Sequence, residues 1–149
     1  MVKNADKDAV SLLLAVLALG RRLRSERPEG ALTLSAISLL GTLGRLGPMP
    51  AVRLATEERL QPQSLTRLVG SLERDGLIER RRNAEDRRVL VIALTQAGKA
   101  ALAEDLRTRQ KWLQKAMAAV LTKQERAGLM AAAPAMLKLA FREQDAAER

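Results

Sequence analysis

Placed on a helical wheel at about 100° per residue, residues 62–75 gather Leu65, Leu68, Val69 and Leu72 into one apolar stripe. Almost opposite stand Gln63, Arg67, Gly70 and Arg74, with Thr66 and Ser71 beside them. These side chains can hydrogen-bond base edges and phosphates: guanidinium suits guanine, amide suits adenine, and hydroxyls suit either. The row contains no acidic residue. Taken alone, it is also what the solvated face of an ordinary helix carries. A little further on, "RRRNAEDRR" (80–88) sets Arg80, Arg81 and Arg82 before a polar bend and Asp86, Arg87 and Arg88 after it. An arginine held at a hairpin tip can enter the narrow minor groove of a duplex, where the negative potential is deepest. Asp86 makes little sense as a ligand for a polyanion, and reads instead as a brace that orients a neighbouring arginine by a charge-assisted hydrogen bond. A charge-rich, solvated β-turn is the plainer alternative.

Composition narrows the chemistry. The 149 residues include 26 Lys and Arg against 17 Asp and Glu, a formal charge of +9 that puts a polyanion first among partners, with membrane surfaces and acidic proteins behind it. Cysteine and histidine are both absent, which removes thiolate and disulfide chemistry, histidine proton transfer and the usual zinc or haem ligands. No cofactor or metal is expected. An enzyme would need a Ser–Lys, carboxylate or metal-carboxylate site, and no clustered motif of that kind is visible. The apolar run "AVSLLLAVLAL" (9–19) is too short to span a bilayer. As an export signal it is opposed by Asp6 and Asp8 before it, by "RRLR" (21–24) after it, and by the lack of a clean cleavage motif, so a cytoplasmic protein is expected.

The elements that must position these residues follow from periodicity and punctuation. Residues 5–26 read as a helix with two apolar stripes, one of Val10, Leu13, Leu14 and Leu17 and one of Leu12, Val16, Leu19 and Leu23, and both need cover. Pro28 and Gly30 end it. A short helix over 35–44 should turn Leu34, Ile37, Leu40 and Leu43 to one side, and another after Pro50 should turn Val52 and Ala55 inward. A helix ending near 57 and a second starting near 62, with Pro62 in its first turn and Gly76 as a left-handed stop, is a helix-turn-helix arrangement, whose second helix enters the major groove by its N-terminal part. "LIER" (77–80) and "RVLVIALT" (88–95) read as the strands of a hairpin. A long Ala-rich helix follows over 97–120, then a capping box in "TKQE" (122–125) opens a last helix that Pro134 should kink or split.

The strings "LA" (54–55), "QSLTRLVGSLERDGLIERR" (63–81), "DRR" (86–88) and "ALTQAG" (93–98), extended by "LTLSAISLLGTL" (32–43), resemble the MarR family of bacterial transcription regulators. The resemblance implies a mainly α fold with a small β-wing, one domain over 1–149. Its winged helix-turn-helix lobe would occupy 33–95, flanked by dimerisation helices over 5–30 and 97–145. It places Gln63, Ser64, Thr66 and Arg67 in the major groove and Arg87 in the minor groove, with Asp86 matching the wing aspartate. Arg81 and Arg82 belong to the same wing, Arg88 would contact phosphate or pin the wing, and Arg74 would contact phosphate. It also implies a homodimer and a small aromatic or apolar ligand that releases DNA, for which Arg21, Arg22 and Trp112 are cleft candidates. Trp112 is equally suited to plain helix packing, and Arg21 and Arg22 to a solvated helix end. The peroxide-sensing branch works through cysteine, which this chain lacks. Two departures touch the turn: Arg59 stands where a small residue or glycine is frequent, and Gln61 where a better cap such as serine is frequent.

The expected function is thus sequence-specific binding of double-stranded DNA by a homodimer on a palindromic operator, as a repressor more often than an activator. The alternative is an architectural protein that coats DNA without sequence preference, which the same charge would serve.

Overall fold

The computed structural model describes residues 2–27 and 29–141, with side chains from Lys7 onward; Pro28 and residues 142–145 of the expected dimerisation stretch lie outside the described residues. Eight elements follow in order: α1 (Val2–Ser25), α2 (Leu34–Leu46), α3 (Ala51–Glu58), α4 (Pro62–Arg74), β1 (Ile78–Arg82), β2 (Leu90–Leu94), α5 (Gln96–Val120) and α6 (Lys123–Ala140). The chain divides into two compact units, one through residue 110 and one from 111 onward.

Within the first unit the core lies between α2, α3, α4 and the hairpin. Leu39, Leu40, Leu54, Leu65, Val69 and Leu72 pack there with Met49, Ile78 and Ile92. Thr33 caps α2 by accepting from the Ala36 N–H at 3.2 Å, which fixes where the helix starts. Ile37, Leu40 and Leu43 turn inward as their spacing predicts, but Leu34, in the first turn, is exposed and Leu39 takes the buried place instead. Val52 also departs from the sequence reading, for it is 81% exposed while Leu54 is fully buried. An eight-residue helix offers little more than two turns from which to read a phase. Here the phase is set from outside by Met49, whose N–H and C=O both pair with Ile92 just before α3 begins.

The hairpin is antiparallel, Ile78 opposite Leu94 and Arg82 opposite Leu90, and the Met49–Ile92 bridge adds a one-residue third strand. Gly76, at φ +70°, turns the chain from α4 into β1. Thr95 then locks the hairpin to α5. Its hydroxyl donates to the Gly76 carbonyl at 2.6 Å and accepts from the Gly98 N–H at 3.0 Å, so one side chain caps α5 and ties it to the α4–β1 turn. Gly98 is buried there, so close to Leu77 that a Cβ would lie 2.0 Å from its carbonyl oxygen.

On α1 the two apolar stripes are exposed: Val10, Leu12, Leu13, Leu14, Val16, Leu17 and Leu19 keep 41–61% of their surface. In the second unit, Thr122 and Glu125 form the expected capping box at the start of α6. The Thr122 N–H and hydroxyl both donate to the Glu125 carboxylate at 2.8 Å and hold its pKa below the ordinary carboxylate value. Pro134 does not split α6, which is a single helix through it. Its missing N–H removes one i→i−4 bond, and the helix continues on both sides of it.

Candidate nucleic-acid interface

Helix α4 buries Leu65, Val69 and Leu72 and half-buries Leu68, so the opposite row must face away from the core. Gln63, Ser64, Thr66 and Arg67 are all exposed on its first half. Gln61 makes no side-chain cap bond, so the N–H groups of the first turn point outward without a side chain over them. A helix N-terminus so presented favours phosphate oxygens. The Thr66 hydroxyl donates to the Pro62 carbonyl at 2.8 Å, which leaves its lone pairs and methyl group as the features it presents outward. Arg67 and Arg74 are exposed and form no ion pair or side-chain hydrogen bond with the other described residues.

The turn into α4 carries the one positive-φ residue among the described residues that is not glycine. Arg59 sits at φ 52°, ψ 38°, and its N–H caps α3 by donating to Thr56 and Ala55 carbonyls. Glycine would adopt this conformation freely, and arginine does so against a steric cost.

In the wing the arginines divide by partner. Arg80 donates across to Glu73 of α4 at 3.3 Å, tying that helix to β1. Arg81 lies 3.9 Å from Glu79, a loose exposed contact. Arg82 donates to the Arg88 carbonyl at 3.4 Å. Asp86 accepts from both the backbone N–H of Arg88, at 3.0 Å, and its guanidinium Nε, at 3.2 Å. The aspartate therefore holds Arg88, while Arg87 beside it is exposed and forms no such bond with the described residues. Exposed pairs like these contribute little stability, and what they fix is direction. The tip closes on itself through Asn83 N–H to Val89 O at 2.9 Å.

Two cavities flank this surface. One of about 230 Å³ lies behind α4, lined by Leu65, Val69, Thr66, Arg80 and Leu90 among others. The other, about 420 Å³, lies beside the wing against Pro48, Arg81, Arg82, Asn83 and Glu85. Neither is lined by Arg21, Arg22 or Trp112. Arg22 pairs with Glu26 at 2.6 Å, Arg21 is exposed on α1, and Trp112 is half-buried on the part of α5 that belongs to the second unit. Among the described residues no group of three or more acidic side chains could hold a metal, and no helix is long and apolar enough to cross a membrane.

Sequence reasoning brought together the row on α4 and the arginines of the wing but missed the Glu73–Arg80 link between them. Its signal was an acid in the last turn of α4, a few residues before the first wing arginine.

Comparison with known proteins adds the relatives. A sequence model described as the MarR family matches residues 32–90. The uncharacterized HTH-type transcriptional regulator Mb0904 of Mycobacterium bovis is 37% identical over 93% of this chain and 96% of its own length. The HTH-type transcriptional repressor MdtR of Bacillus subtilis is 28% identical over 65% of each chain. Among solved structures, a transcriptional regulator protein from Pseudomonas aeruginosa PA01 superposes with a TM-score of 0.81 at 35% identity, over 94% of this chain and 98% of that one.

Proposed function

This chain belongs to the MarR family of DNA-binding transcriptional regulators, and from that premise we propose that it acts as a homodimeric repressor on an inverted-repeat operator. The observation that carries the dimer is α1. Its two exposed apolar stripes form a face that a single chain leaves in water, and a patch of that kind marks an association surface. A two-fold partner covers the same patch on both copies and presents two α4 helices to successive major grooves. Residues 5–30 and 97–145 are read as the dimerisation segments and 33–95 as the DNA-binding lobe.

Within each lobe, Gln63, Ser64, Thr66 and Arg67 read base edges. Arg74 contacts phosphate, and Arg87 enters the minor groove from a wing whose other arginines Arg81, Arg82 and Arg88 lie along the backbone, Arg88 held by Asp86. That Arg67, Arg74 and Arg87 form no ion pair with the other described residues supports that division. Repression is supported by the likeness to MdtR, which is named a repressor. Release by a small aromatic or apolar ligand completes the reading on the family resemblance alone.

The test is selection of binding duplexes from a randomised pool by the purified chain, followed by footprinting and competition with bulk DNA. An inverted repeat protected at both half-sites, and preferred by about 10³-fold or more over bulk DNA, is the expected result. Equal binding to every duplex would establish the architectural alternative instead.

A further inference from the structure

The inward stripe of α5 begins with Gly98 against the Leu77 carbonyl and continues with Leu102, whose Cδ2 lies 3.5 Å from where a Cβ on Gly44 of α2 would stand. The next position on that stripe is Asp105, a carboxylate where periodicity calls for an apolar residue. Its side chain is 5% exposed. One oxygen accepts from Arg27 Nε at 2.6 Å, and the other from the Arg109 guanidinium one turn later on α5. Arg27, only 11% exposed, also donates through its other arm to the Leu32 carbonyl. Arg27 follows α1, and Leu32 precedes α2 and packs on the core of the winged lobe. One carboxylate thus joins α5, the tail of α1 and the entry to α2.

We infer that Asp105, through Arg27, is the positioning residue that fixes the angle between the winged lobe and helix α1, and so the separation of the two reading helices on DNA. The inference rests on the dimeric reading above. A buried ion pair is weak evidence for stability, because desolvation offsets its attraction. Direction is what it supplies: two donors of one planar guanidinium are held by acceptors on different segments, whereas an apolar contact allows sliding. In the connection between α1 and α2, the described residues 26–27 and 29–33 form no helix or strand, so their course depends on such bonds. Each lobe is complete without the knot, since its core, α4 and the hairpin pack among themselves. Asp105 therefore bears on how two lobes engage together and leaves each lobe's own reading intact.

The experiment compares Asp105→Asn and Arg27→Lys with the wild-type chain on two duplexes, one carrying the full inverted repeat selected by the wild type and one carrying a single half-site. Arg27→Lys keeps the charge but cannot reach Asp105 and Leu32 at once, and it decides the question if Asp105→Asn does not fold. The expected result is half-site affinity within about twofold of wild type, full-site affinity reduced about 10- to 100-fold, and a salt dependence on the full site that falls toward the half-site slope. Folded variants with wild-type full-site affinity and slope would overturn the inference, as would equal losses on both duplexes. If the wild type itself gains nothing from the second half-site, the dimeric reading fails, and the inference with it.

Discussion

Replacing Gly98 by alanine tests the junction that hands the hairpin on to α5. A Cβ there would stand 2.0 Å from the Leu77 oxygen, 3.0 Å from the Leu77 carbonyl carbon and 3.1 Å from Leu94 Cδ2. An ordinary carbon–oxygen contact is about 3.3 Å or more, so backbone must move by roughly an ångström. The carbonyl that must give way is the one that accepts from the Thr95 N–H at 3.2 Å, one residue after the carbonyl that the Thr95 hydroxyl reaches. Overpacking of this kind costs about 1–3 kcal/mol. Strained or lost Thr95 bonds add about 1 kcal/mol, and the better helix propensity of alanine returns at most about 1 kcal/mol. The net expectation is a destabilisation of about 1–3 kcal/mol, read as the shift in urea midpoint at fixed protein concentration. Gly41→Ala is the control, because nothing lies within 4 Å of its Cβ in α2, and it should be neutral or stabilise by up to about 1 kcal/mol. If Gly98→Ala unfolds at the wild-type midpoint, or shifts upward with the control, the close approach to Leu77 does not constrain α5.

Arg67→Ala should cost about 1–3 kcal/mol on the selected duplex and relax base preference at one position per half-site; uniform weakening on all sequences would remove its reading role. Arg87→Ala should weaken binding and lower the salt slope while leaving the preferred major-groove bases unchanged, and unchanged affinity at moderate salt would reject the minor-groove assignment. Arg59→Gly should raise the melting temperature, since relief of about 1–2 kcal/mol from the left-handed conformation exceeds the added entropy of an unfolded glycine; a lower melting temperature would show that the arginine side chain earns its place there. Glu125→Gln tests the capping box. The folded pKa is depressed, so the carboxylate's contribution is present above the unfolded value of about 4.3 and is lost as pH falls through the folded one. The variant should lose part of the acid dependence of α6 helicity in that window, and an unchanged pH profile would count against the bond.

The fold is most legible in the sequence where one segment carries its own pattern. The stripe of Leu65, Val69 and Leu72, the stop at Gly76 and the capping box at Thr122 are local, and the structure has them where the spacing puts them. Val52 was misplaced because two turns of α3 admit more than one phase and a distant strand pairing chose between them. At Pro134 the expected split does not occur, since one lost backbone bond does not end a helix of 18 residues. The Arg27–Asp105 bond was out of reach altogether, its partners standing 78 residues apart. Periodicity marks a carboxylate on an inward stripe as an anomaly without saying which cation answers it.

The backbone bonds between Met49 and Ile92 impose an asymmetry on how this wing can change. Adding or deleting one residue within 90–94 would turn Ile92 out of the core and break its tie to the start of α3. Between Asn83 and Val89 the chain closes on itself through the Asn83 N–H and the Val89 carbonyl, outside the paired strands and the core. Insertions tolerated by this protein should therefore cluster at the tip, where each one would change how far Arg87 stands from α4 while α4 keeps its packing on the core.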